Sequence, residues 1–135
     1  YQASREYAGQ KQYAAFLPHL WITPDHQGRP VRVDLISRQL ALSVGRDKSL
    51  DGYYFKDVHY RWAGQRKIEV DYQQEWAIAA VPSDTGATGF YIFLADESGK
   101  IFLKQFSRMP DNFPVHPERS GWTRITEGTA LPALQ

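Results

Sequence analysis

The stretch WAIAAVPSDTGATGFYIFLADESGKIFLKQF, residues 76–106, decides the fold. It holds three apolar runs separated by two turn-forming clusters, Pro82 to Gly89 and Asp96 to Gly99. Short runs rich in Ile, Phe, Tyr and Val, bounded by Gly, Pro, Asp and Ser, predict strands joined by hairpins. Three such strands with short connections make an antiparallel meander, which needs no crossover. In Trp76–Val81 and Phe90–Ala95 both alternating sets of positions are apolar. Such strands are expected to be covered on both faces, whereas Lys100–Phe106, with polar residues inside the run, is expected nearer an edge.

Upstream, Gly52–Trp62 opens the sheet, and its apolar parity changes between Phe55 and Val58, which predicts a bulge or bend. A turn at Ala63–Arg66 leads to Lys67–Tyr72, an alternating edge strand or arm. Residues 3–17 hold no Pro and place Ala3, Tyr7, Ala14 and Leu17 on a narrow apolar stripe interrupted by Gln10. They predict a helix, closed by Pro18, that is the tail of a longer one and covers the sheet. The turn formers in 18–32 predict a loop. Residues 33–44, with Asp34 as N-cap and Gly45 as stop, predict a short second helix. Downstream, 107–122 is expected to be an extended surface segment pinned by Phe113 and Trp122, and Thr126–Gln135 a loose tail. The expected fold class is α+β: one domain spanning 1–135, with an N-terminal helix packed on a roughly four-stranded antiparallel sheet.

Sixteen basic and fifteen acidic residues leave a net charge of +1, and the basic residues are scattered, so nothing electrostatic points to a nucleic-acid partner. No apolar run has the length of a membrane span. There is no Cys, which excludes a disulfide framework, a thiol nucleophile and a Cys-based zinc site. The chain starts at Tyr1 and its only Met is Met109, so it is expected to be processed or trimmed. His19, His26, His59 and His116 show no ligand spacing, so neither a metal nor a cofactor is expected. Asp25 and His26 are expected in a solvated turn, and Asp96–Lys100 in a hairpin turn, since the latter lacks the distal Glu of a calcium loop. Asp57 and His59, two apart, are the one start of a catalytic pair, but no third member stands out. Enzyme signatures such as GxSxG, HExxH and GxxxxGK are absent, and no enzyme is expected.

The order Gly52-Tyr53-Tyr54-Phe55, Ala80-Val81-Pro82, Thr88-Gly89 and Asp96-Glu97-Ser98-Gly99-Lys100-Ile101 resembles the globular half of bacterial type IV pilin-like and pseudopilin proteins. The same signature occurs in a group of uncharacterised bacterial exported proteins, and the resemblance covers about residues 34–106. It implies an exported subunit, in the periplasm or at the cell surface, whose partners are other protein subunits of a pilus or type II secretion assembly. It also implies that membrane contact is made only through an N-terminal helix absent from this chain. The rival expectation is a freestanding exported domain that binds a glycan or peptide on the surface aromatics Tyr60, Trp62 and Tyr72.

Overall fold

In the computed structural model, residues 13–24, 27–32, 35–45, 48–84, 90–106, 110 and 113–126 are described. The meander is present as β6 (Ala77–Pro82), β7 (Tyr91–Asp96) and β8 (Ile101–Gln105). It forms the middle of a five-stranded antiparallel sheet with β3 (Tyr53–Asp57) on one edge and β9 (Thr123–Ile125) on the other, in the order β3-β6-β7-β8-β9. The register runs Phe55–Ala80–Phe93–Leu103–Thr123 across one face and Lys56–Ala79–Leu94–Phe102–Arg124 across the other. Two small sheets complete the strands, β1 (Ile22–Pro24) with β2 (Pro30–Arg32) and β4 (Tyr60–Ala63) with β5 (Arg66–Glu69).

The doubly apolar pattern of β6 and β7 is explained by two separate cores. On one face Ala77, Ala79, Val81, Ile92, Leu94 and Phe102 pack with Val58, Phe113 and Trp122. On the other Trp76 and Ile78 pack with Ala14, Leu17 and Leu20, against Leu35, Ile36 and Phe55. Each large apolar side chain removed from water on these faces stabilises the fold by about 1.5–3 kcal/mol.

The expected α+β class, with an N-terminal helix on a four-stranded sheet, is corrected: the described chain is mostly antiparallel sheet with almost no helix. Its only described α-helix is α1, the single turn Arg38–Ala41. The end of the expected 3–17 helix that is described does not continue one. Phe16 is extended (φ −128°, ψ 137°), and Leu17–Leu20 form a 3-10 turn with Pro18 near its start. Pro18 has no N–H to give, and its ring pushes Leu17 away from helical angles. Residues 3–12 of that expectation lie outside the described residues. The segment still covers the sheet, with Ala14 buried ahead of the 3-10 turn and Leu17 and Leu20 buried within it. The second helix is shorter than expected: Ser37 caps it, its side chain accepting from the Leu40 N–H at 3.1 Å, while Asp34 lies outside the described residues.

Two further corrections concern the edges. β8 is an inner strand, because β9 pairs beside it through Ile101–Ile125 and Leu103–Thr123. The stretch expected as a loop at 18–32 contains the β1–β2 pair.

The bend expected between Phe55 and Val58 falls after Asp57, where the chain leaves the main sheet to form the β4–β5 ribbon. The ribbon lies over the Leu94–Phe102 face because residues 113–115 hold it there. Trp62 donates its N–H to the Phe113 carbonyl at 2.9 Å, and the Val115 N–H returns to the Trp62 carbonyl at 2.9 Å.

Candidate functional site

The three aromatics expected to bind a ligand do not form one platform. Tyr60 and Trp62 are alternate residues of β4 and so share a face of the ribbon, opposite the face of Arg61. Tyr60 is exposed, and Lys67, on the neighbouring strand, places its Nζ 4.0 Å from the ring centroid. A cation at that distance already occupies the ring face a sugar would need. Trp62 is half-buried beside Pro114. Tyr72 is turned to a different group: its Oη lies 2.5 Å from His59 Nδ1. Burial pushes the Tyr72 phenol up to about 12, helped by the charges of Asp57 and Glu69.

Asp57 and His59 likewise serve the fold. Asp57 Oδ1 accepts the Leu17 N–H at 2.9 Å and so caps the 3-10 turn. His59 packs against the Phe16 ring with centroids 5.0 Å apart, and its carbonyl accepts the Val70 N–H at 2.9 Å. Asp57 ends β3, whereas His59 lies in the connection before β4, because the strand breaks between them. His19 packs edge-on to Phe16, and Asp25 and His26 lie outside the described residues. Among the described residues no group of three His, Asp or Glu stands where it could hold a metal ion. Nor is any helix there long and apolar enough to cross a membrane.

Among the described residues, a site with room for a ligand lies elsewhere, at the end of the sheet where β6 begins, β7 ends and β8 begins. A cleft of about 490 Å³ opens there, within the size range of small-ligand pockets. One wall is the β7–β8 turn, with Asp96, Glu97, Ser98 and Lys100. The opposite wall is the 3-10 turn Pro117–Ser120 and its approach, with Val115, His116, Glu118 and Arg119. Phe102 and Arg61 also line it, and Glu75 closes the β6 side.

Local chemistry shapes the first wall. Asp96 Oδ1 accepts the Ser98 N–H at 3.0 Å and the Ser98 hydroxyl, and Gly99 takes the positive φ of +76° that lets the chain turn into β8. The other oxygen, Asp96 Oδ2, is 3.0 Å from Arg61 Nη1. Arg61 is buried, and its remaining donors reach the Pro114 carbonyl from Nε at 3.1 Å and from Nη2 at 2.8 Å. One guanidinium thus ties β4, the β7–β8 turn and the 113–115 segment together beneath the cleft. Glu97 Oε2 accepts the Trp76 N–H at 3.4 Å, which brings Glu97 to the start of β6, while the Glu75 carboxylate accepts the Asp71 N–H at 3.0 Å. Burial raises the Glu97 carboxyl above its ordinary range, with the Asp96 charge acting the same way.

None of these cleft residues was singled out as a binding group from sequence, although Asp96–Gly99 was expected to form the hairpin turn. The one signal was Arg61, a charge between Tyr60 and Trp62 in an otherwise aromatic strand.

No family model, curated protein or solved structure matches the chain.

Proposed function

We propose that this chain is a non-enzymatic binding domain whose ligand, a short peptide, enters the cleft between the β7–β8 turn and residues 115–119. The observation that carries this reading is the cleft itself. Its walls come from segments far apart in sequence and are held together by the buried Arg61–Asp96 pair. Sites mounted on a rigid frame lose little entropy when they bind. Binding is favoured over catalysis because Asp57 and His59 are both engaged in holding the 13–20 segment and the ribbon. A peptide is favoured over a glycan because both signs of charge line the cleft, with Phe102 its only aromatic, while Tyr60 already carries Lys67.

The test is amide chemical-shift mapping with a panel of short peptides, end-blocked and free, of varied side-chain charge. Shifts confined to 96–100 and 115–119 are expected. Shifts centred on Tyr60 and Trp62 would transfer the site to the ribbon, and no response at millimolar peptide would refute the reading.

A second reading is an exported subunit of a pilin-like assembly that works through protein–protein contacts. It is favoured by the meander β6–β7–β8, whose strands and turns contain most of the motifs behind the resemblance. Self-association on sedimentation would support it, and a monomer at high concentration would count against it.

A further inference from the structure

We infer that β5 is a pairing edge for a second copy of this chain, the two β5 strands lying antiparallel about a two-fold axis at Ile68. This goes beyond the cleft reading and does not depend on it.

The ladder of the ribbon fixes which backbone groups are left over. In an antiparallel pair, residues alternate between exchanging hydrogen bonds with their partner and turning both backbone groups outward. Val70 donates its N–H to the His59 carbonyl, so that pair is a bonded one. Trp62 turns outward, and its two groups meet Phe113 and Val115. Its partner across the ribbon is Lys67, and Tyr60 faces Glu69. Lys67 and Glu69 therefore direct their N–H and C=O groups to the opposite edge, where, among the described residues, nothing receives them. All four residues of β5 are exposed. The edge runs from the turn at Gly64 and Gln65 to Asp71, whose N–H is taken by the Glu75 carboxylate at 3.0 Å.

Lysine on an edge strand ordinarily discourages pairing. Here charge complementarity singles out a second copy as the occupant, in one register. Lys67 and Glu69 are alternate residues and share a face. With the axis at Ile68, Lys67 of each copy stands opposite Glu69 of the other, and each such pair exchanges both backbone hydrogen bonds. Moving the axis to Lys67 sets the two lysines against each other, and moving it to Glu69 does the same to the glutamates; like charges directly opposite are destabilising. Glu69 has no ion-pair partner among the described residues, so its carboxylate is free to pair. Lys67, held over the Tyr60 ring, already stands on the face where that carboxylate arrives. The exposed Ile68 meets its own copy at the axis in the closer, non-hydrogen-bonded geometry. A contact of this symmetry closes at two, unlike the head-to-tail contacts of a filament.

The experiment follows sedimentation and amide shifts as protein concentration rises to about 1 mM, the range suited to so small a contact. A monomer–dimer equilibrium with shifts at 66–70 is expected. Lys67→Glu and Glu69→Lys each set like charges opposite and should weaken the dimer about tenfold or more. An equimolar mixture of the two variants should restore it as a mixed dimer, since one copy then carries two acids and the other two bases. The double variant should pair with itself for the same reason. Both positions are exposed, so unfolding midpoints should barely change, which separates lost pairing from lost folding. A protein still monomeric at 1 mM, a dimer indifferent to these variants, or species that grow beyond two would overturn the inference. Shifts at 66–70 that follow added peptide rather than protein concentration would give the edge to another partner and overturn it as well.

Discussion

Replacing Arg61 by Met removes the charge while keeping an unbranched side chain in place. Both partners of the Arg61–Asp96 pair are almost fully buried, with side-chain exposures of 7% and 8%. Breaking such a pair from one side leaves an uncompensated carboxylate, which costs about 3–5 kcal/mol. The Pro114 carbonyl, which accepts from both Nε and Nη2, loses its donors as well, adding about 1–3 kcal/mol. Apolar burial of the Met side chain offsets part of this, so the expected net loss is about 4–6 kcal/mol. That is a large share of the roughly 5–15 kcal/mol available to a domain. Urea unfolding followed by tryptophan fluorescence reads the loss, since Trp76 and Trp122 are buried in the two cores. If Arg61→Met is too unstable to study, Arg61→Lys keeps the charge but not the planar fork, and should give an intermediate loss. Asp96→Asn and the double variant complete a cycle. The double variant should lose less than the sum of the singles by about 1–3 kcal/mol. An Arg61→Met loss under about 1 kcal/mol, or strict additivity, would refute the claim that this pair holds the cleft walls together.

Three further outcomes follow from the same geometry. The Glu97 carboxyl titrates above its unfolded value, so its ionisation opposes folding once pH rises through the raised range. Glu97→Gln should therefore raise the midpoint of thermal unfolding at neutral pH and make little difference in acid below the ordinary carboxylate range; an equal effect at both would contradict the burial argument. Leu94 is fully buried in the centre of the sheet, so Leu94→Ala should lose about 2–5 kcal/mol in urea, whereas the exposed Ile101→Ala should lose far less. Tyr72, held up to about 12, should titrate late by ultraviolet absorbance, with Tyr53 also raised by burial, and Tyr72→Phe should shrink the latest phase; an unchanged amplitude would refute the assignment.

The middle of the sheet was legible because its three runs are largely apolar, the first two at both parities, and are closed by Pro, Asp, Ser and Gly, which leave few alternatives to a meander. β9 was not, because Thr123–Ile125 is three residues long and mixed in character, and only its pairing with β8 makes it a strand. The N-terminal expectation failed at Ala14 and Leu17, whose spacing suits a helical stripe but equally suits an extended segment entering a 3-10 turn at Pro18. The cleft was illegible for a different reason. Its residues are local only within each wall, and what brings 96–100 and 115–119 to one cleft is tertiary folding rather than spacing along the chain. Tyr60 and Trp62 share a face of the ribbon, but Lys67 covers Tyr60, and Tyr72, beyond the ribbon, is turned to His59.

The most direct test is a structure of the protein determined with a short peptide bound. The peptide is expected between the β7–β8 turn and residues 115–119. A peptide lodged instead against Tyr60 and Trp62 would contradict the binding reading.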